Sequence, residues 1–278
     1  MENKIDTFFF FFLSKPDLVN VDAEKILLAE KKDNKSLQNF IHQYKYSGGY
    51  VDRREAIEFA LRKQDDSEAR NFLLVALKDK YFGLRSIVLS RIDLRKEAIK
   101  KEAEAIIADI AKNDPKSIVR AAALTLLGNY DNPGYKEILT KAVYDSSYTV
   151  AGSALEGLEK LDPGKSISLA KTIASQKTKG KLSISLVKVL IKSGTESDFD
   201  AIADAYNSMP LSQEKFELIN PFCNLLGKIS SSEKLRKGVD IVVKFRDGIP
   251  EQYGVSPIIN NFLKGVISKK EAAKGISE

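Results

Sequence analysis

The sequence predicts an all-α protein, an α-α superhelix of stacked helix pairs with a short N-terminal β segment. Three observations carry that prediction. The hydrophobic period changes from about two to about 3.6 near Asn34. Beyond that point, amphipathic stretches of helical length recur in pairs, punctuated by Gly, Pro and Asp. Within them an aspartate-led turn returns after 35 and then 31 residues, the spacing of a helical hairpin repeat.

The chain opens on a run of large apolar residues, Phe8 to Leu13, followed at once by Ser14, Lys15, Pro16 and Asp17. A signal peptide wants about 7 to 15 apolar residues and a small-residue cleavage site, and a membrane span wants roughly 20, so the run fits neither. Its composition predicts a strand buried on both faces, with short strands at Val19 to Val21 and Ile26 to Ala29, and Pro16, Asp17 and Asn20 as breaks. Three short strands do not hold a sheet on their own. Residues 1–33 therefore read as the remnant or edge of a β-sandwich, and residues 5–29 are expected to promote self-association. Residues 34–278 read as the helical domain.

Leu37, Phe40, Ile41 and Tyr44 share one helical face, and that stretch ends at Gly48 and Gly49. Ala56, Ile57, Ala60 and Leu61 mark the next helix, and Phe72, Leu73, Ala76 and Leu77 the one after; Ile99, Ala103, Ile106, Ile107 and Ile110 mark a longer one. Asp114-Pro115, Asn132-Pro133 and Asp162-Pro163 each read as a capping side chain followed by proline at the first helical position, and Thr195 with Asp198 as a capping box. After Thr195 the period blurs. Leu211 to Ile229 reads as a helix that Pro221 kinks or breaks, Glu233 to Phe245 as a helix with Ile241, Val242 and Phe245 inward, and Pro257 to Ile267 as the last, with Ser268 to Glu278 a fraying cap.

The turn motif gives the repeat its register. Asp79 to Arg85 aligns with Asp114 to Arg120, and both align with Asp145 to Ala151. Val119, Val150 and Leu182 carry the register onward, and Leu124 and Leu127 match Leu155 and Leu158. One amphipathic hairpin cannot bury its apolar face alone, so neighbours must stack. Ala121, Ala122, Ala123, Ala151, Gly152 and Ala154 are small enough to let them approach closely. Paired helices of this period resemble HEAT repeats with shortened units, a HEAT-like or ARM-like solenoid.

Composition narrows the chemistry. With one His, one Cys and no Trp, the chain lacks the parts for a multi-imidazole or multi-thiolate metal site, a disulfide framework or Cys/His catalysis. His42 alone cannot supply a zinc motif that needs two imidazoles one helical turn apart, and Cys223 sits in an apolar stretch as a small core residue. No phosphate loop or nucleophile elbow is present. No cofactor is expected. The net charge of +6 is spread evenly along the chain, which argues against nucleic acid as partner. Even the densest basic cluster, Lys177, Lys179 and Lys181, reads as a solvated turn.

Arg53, Arg85 and Arg120 could form a ladder that grips carboxylates or phosphates. The stronger reading is structural: the turn aspartate caps a helix and pairs with an arginine of the neighbouring repeat. Several tyrosines, among them Tyr44, Tyr50, Tyr81 and Tyr148, fall near helix ends, where a peptide packs on a ring as readily as the core does. The candidate contacts for a peptide or protein partner are therefore Tyr50, Arg53, Arg85, Arg120 and Tyr148.

A family resemblance also rests on these residues. The stretch from Ser14 to Leu28, then Leu37 to Tyr46, then Tyr50 to Ile57 resembles the junction in aminopeptidase N-like zinc metallopeptidases where a β-sandwich hands over to a C-terminal domain of HEAT-like hairpins. That resemblance implies a non-catalytic domain that caps the catalytic cleft and offers a concave face to peptide, with a peptidase catalytic domain among its partners. It also implies that zinc and its ligands lie in a domain upstream, so that the start of this chain is a fragment boundary. The rival reading is a freestanding HEAT-repeat adaptor for protein–protein interaction, and the N-terminal strands are what distinguish the two. A soluble chain of this composition fits cytoplasm or periplasm.

Overall fold

The computed structural model describes residues 9–26, 31–32, 34–130, 132–174 and 178–275. Among these residues there are helices and no strand, so the fold class is all-α. The chain divides into two compact units, Met1–Ile107 and Ala108–Glu278. The first holds α1 (Leu37–Tyr46), α2 (Tyr50–Leu61), α3 (Ser67–Ala76), α4 (Phe82–Arg91) and the start of α5 (Glu97–Asn113). The second holds the rest of α5, then α6 (Ser117–Gly128), α7 (Lys136–Ala142), α8 (Tyr148–Leu161), α9 (Pro163–Ala174), α10 (Gly180–Ser193) and α11 (Phe199–Ser208). It closes with α12 (Gln213–Glu217), α13 (Ile219–Leu226), α14 (Ser232–Asp247) and α15 (Ser256–Gly275).

The expected β segment is corrected by the structure. Phe9 to Leu13 and Val19 to Val21 form no strand, while Phe8 and Leu27 to Ala29 lie outside the described residues. In place of a strand, Lys25 donates its backbone N–H to the Asp22 carbonyl at 3.0 Å, with positive φ at both Asp22 and Lys25. The Asp22 carboxylate then accepts from the Ile26 N–H at 3.0 Å. Aspartate tolerates that left-handed conformation and closes the turn with its own side chain, which is why the apolar count misreads this stretch. The turn is held to α2 by Asp52, which is buried: the Lys25 ammonium lies 2.7 Å from Asp52 Oδ1, and the Asn20 amide donates to the same oxygen at 3.1 Å.

In the first unit the helical periodicity holds as the sequence predicts. Leu37, Phe40, Ala56, Ile57, Ala60, Leu61, Phe72, Leu73, Ala76 and Leu77 are all buried. Phe40 stacks on Phe59 with ring centroids 4.4 Å apart, joining α1 to α2. The hairpin between them turns at Gly48, whose φ of 67° is the left-handed conformation that glycine adopts without strain.

In the second unit α8 is the central helix, packed against α6, α7, α9 and α10. Backbones approach there to a degree only small residues permit. A Cβ on Gly128 of α6 would lie 2.4 Å from the Gly157 Cα of α8, and one on Gly152 would lie 2.8 Å from Lys181 Cγ and 2.9 Å from the Lys181 backbone carbon of α10. Asn132 and Asp162 cap as expected, accepting from the N–H groups of Gly134 at 2.9 Å and Lys165 at 3.0 Å. Asp114 does not. Helix α6 starts at Ser117, and the Asp114 carboxylate accepts from the Lys116 N–H at 2.9 Å, so Asp114-Pro115 forms a turn before the helix. Pro221 acts as expected: it has no N–H for the Glu217 carbonyl, and the helix breaks there into α12 and α13.

Lys215 of α12 is buried without a carboxylate partner among the described residues. Its ammonium donates to the Asn207 and Met209 carbonyls at 3.0 and 2.8 Å and lies near the Tyr206 and Phe245 rings, and burial lowers its pKa. It thereby closes the C-terminal end of α11, whose last carbonyls have no partner in the helix.

Two outcomes follow for solution measurements. Gly128→Ala should destabilise the chain by about 1–3 kcal/mol in chemical denaturation, because the methyl group meets backbone that has no rotamer to give. Gly265→Ala in α15, where a Cβ meets nothing within 4 Å, should instead gain about 0.5–1 kcal/mol of helix propensity. At the N-terminus Phe9 to Leu13 are exposed, from 64% at Phe12 upward. Such a run is an aggregation liability, and removal of residues 5–29 should lower the particle mass in light scattering; an unchanged mass would count against self-association through this segment.

Candidate protein-binding groove

The repeat motif builds a polar hub at the Asp79 and Asp145 turns. In the first unit Asp79, in the turn between α3 and α4, is buried. Its Oδ1 accepts from the Tyr81 N–H at 2.7 Å, closing the turn before α4. Arg53 of α2 places Nη1 2.7 Å and 2.8 Å from the two carboxylate oxygens, and Tyr44 of α1 donates its hydroxyl to Oδ2 at 2.7 Å. Burial, and then the bond to Asp79, hold the Tyr44 hydroxyl well above its ordinary pKa. Arg85 of α4 reaches back into the same turn and donates Nη1 to the Asp79 carbonyl at 2.7 Å. One aspartate thus ties α1, α2 and α4 together.

The second unit repeats the arrangement one register on. Arg120 of α6 donates Nη1 to the Asp114 carbonyl at 2.9 Å, as Arg85 does to Asp79. Its Nη2 lies 3.1 and 3.0 Å from the two oxygens of Asp145, as Arg53 lies against Asp79. Asp145 in turn accepts from the Ser147 N–H at 2.8 Å, before α8. Aspartate in this position therefore serves as acceptor for its own turn and for an arginine from the preceding helix pair.

Beside each hub lies a groove. In the first unit it measures about 620 Å³ and is lined by Tyr44, Arg53, Leu74, Val75, Asp79 and Ile106, with Lys45, Lys78 and Lys80 around it. The lysines are exposed and have no carboxylate partner among the described residues, whereas the one carboxylate, Asp79, is buried and bonded to Arg53 and Tyr44. Val75 is 57% exposed although Phe72, Leu73 and Ala76 of the same helix are buried, so the groove is lined by exposed apolar surface and by lysines together. In the second unit the equivalent groove beside Asp145 is about 370 Å³. There Lys141 is 2.6 Å from Glu137, whose pKa that lysine lowers, and Arg120 holds Asp145. Lys112 of α5 also lines this groove and is exposed, without a carboxylate partner among the described residues.

The five residues singled out from the sequence fall into both units: Tyr50, Arg53 and Arg85 in the first, Arg120 and Tyr148 in the second. The structure brings Arg53 and Arg85 to one aspartate. Tyr50 is not at that carboxylate; it packs edge-on against Tyr81, with centroids 5.2 Å apart. Tyr50 and Tyr148 are each partly exposed, at 40% and 43%. The arginines spend their hydrogen bonds inside the hubs, so they act first as structure. The groove residues Val75, Lys45, Lys78 and Lys80 were missed by periodicity. A signal for them exists in the motif itself: lysine flanks Asp79 on both sides, where Asp114 has Asn113 and Pro115 and Asp145 has Tyr144 and Ser146.

Among the described residues there is no cluster of three or more His, Cys, Asp or Glu able to hold a metal ion, and no helix long and apolar enough to cross a membrane. Cys223 is buried, and burial pushes its thiol up to about 11. No protein-family model and no curated protein sequence matches the chain. Among solved structures it is similar to human deoxyhypusine hydroxylase in complex with glycerol, at 13% identity and a TM-score of 0.38, with 85% of this chain and 96% of that chain covered.

The hub geometry sets an order of severity for substitutions. Asp79→Ala leaves the Arg53 guanidinium, with only 12% of its side chain exposed, without its counter-ion, and should destabilise by about 3–5 kcal/mol. Asp145→Ala, at a pair whose side chains are 17% and 21% exposed, should cost about 1–2 kcal/mol. Equal losses in parallel denaturant titrations would contradict the difference in burial.

Proposed function

We propose that this chain is a HEAT-like helical-repeat scaffold that binds a protein partner. The observation that carries this reading is the first-unit groove. Its internal polar groups are largely satisfied within the Asp79 hub, while exposed Val75 and three lysines face outward. A surface that combines accessible apolar area with a polar rim is the anatomy of an interface. The arginines support it indirectly. Locked to turn aspartates, Arg53 and Arg120 hold adjacent helix pairs in fixed register, and a fixed register keeps the groove preformed.

The alternative reading, the helical lid of an aminopeptidase N-like zinc metallopeptidase, drew its distinguishing support from the N-terminal strands. Residues 9–26 run instead as bends and a turn tied to Asp52. What is left of that reading, a helical surface that receives peptide, is common to both.

Affinity capture with the full chain as bait tests the scaffold. A partner retained by the native chain should be released by Val75→Glu, an exposed substitution that leaves the thermal midpoint unchanged. Retention of every captured protein by the variant would remove the groove from the interface, and zinc-dependent hydrolysis of an aminoacyl amide by the purified chain would overturn a purely binding role.

A further inference from the structure

We infer that the first-unit groove takes an acidic peptide segment of the partner, with a large apolar side chain seated over Val75 and carboxylates meeting Lys45, Lys78 and Lys80. The inference rests on the scaffold reading and gives it a chemistry. Electroneutrality inside the hub is the first step. Asp79 is bonded to Arg53 and Tyr44, so it cannot neutralise the lysines around it. Those lysines are exposed and have no carboxylate partner among the described residues, which leaves a concentrated positive rim on a chain whose charge is otherwise evenly spread.

The second step is the comparison within the molecule. The groove beside Asp145 sits at the equivalent turn, yet there Lys141 pairs with Glu137 and no lysine adjoins the aspartate in sequence. Lys112 lines that groove near the end of α5, as Lys45 does near the end of α1, so what is particular to the first-unit groove is the pair of lysines on either side of the aspartate. Like charges crowded at one turn repel one another when no counter-ion is present. An arrangement that structure does not need and that electrostatics disfavours is one a carboxylate-bearing partner would complete.

The third step is the apolar floor. Leu74, Val75 and Ile106 line the same groove. A simple inorganic anion or a nucleic-acid backbone gains nothing from that surface, whereas a peptide with alternating carboxylate and apolar groups buries it and meets the rim together. The volume of about 620 Å³ falls in the range of pockets that receive small ligands, room for a side chain and the groups next to it.

Selection of a displayed library of random peptides on the full chain reads this out. Enriched sequences should join Asp or Glu to a large apolar residue, and their binding should weaken as salt rises. The triple variant Lys45→Glu, Lys78→Glu, Lys80→Glu, folded as judged by circular dichroism, should lose about tenfold or more in affinity. Val75→Glu should lose a similar factor. Enrichment of basic or uncharged peptides, or acidic peptides that bind the triple variant as tightly as the native chain, overturns the inference. Peptides lost on Val75→Glu but kept by the triple variant overturn the charge argument and leave the groove as an interface. Failure to enrich any sequence counts against both.

Discussion

The constraint on which this protein depends is that one carboxylate must serve two masters: the turn it belongs to and an arginine of the helix pair before it. A helix start leaves N–H groups without partners. Asp79 and Asp145 each accept one of them and also face a guanidinium, through two contacts of 2.7–3.1 Å. Removing such a charge from water is costly unless it is both paired and hydrogen-bonded. With both conditions met, the carboxylate fixes how far one hairpin can slide along the next. Apolar stacking supplies the driving force; the Asp and Arg pairs supply the register.

Close packing then follows from that register. With the hairpins aligned, Gly128 falls opposite Gly157, and Gly152 falls opposite Lys181 and Ser185, so the helices meet backbone against backbone. A slide of one residue would bring a side chain into each of these places. The hubs and the small-residue contacts are thus two expressions of one alignment, polar at the turn and steric along the helix. Glu159 adds a third tie between the same helices: it is buried on α8, and Lys192 and Ser193 at the end of α10 reach it at 2.6 and 3.3 Å.

Much of this was legible in the sequence because it is written in short range. The helical period marked most of the core, the recurring aspartate marked the turns, and Pro221 marked a break that backbone chemistry enforces. The Asp114-Pro115 start failed because a proline after an aspartate signals a helix start only when nothing competes for the turn. Here Arg120 occupies the Asp114 carbonyl and the helix begins at Ser117. The N-terminal strands failed for a different reason. Strand identity depends on a neighbouring strand, which no local pattern guarantees, and the composition of Phe8 to Leu13 says how apolar the run is without saying what would cover it. The groove lysines were unreadable by periodicity because they carry no period; what distinguishes them is the absence of a counter-charge, a property of three-dimensional neighbours.

That distinction separates the two roles of charge in this fold. Within the hubs, cation and anion are matched and directed at one another, at Asp79 largely shielded from water, so they add rigidity and offer little attraction at a distance. Around the first-unit groove the cations stand unmatched in water, where each contributes little to stability but acts over roughly a Debye length, about 8–10 Å at physiological salt. Where Arg53, Arg85 and Arg120 are taken up by the hubs, the binding role proposed above has to rest on residues that the repeat does not use. In this chain that is the set of residues by which one copy of the turn departs from the others: Lys78 and Lys80 on either side of an aspartate that is already occupied.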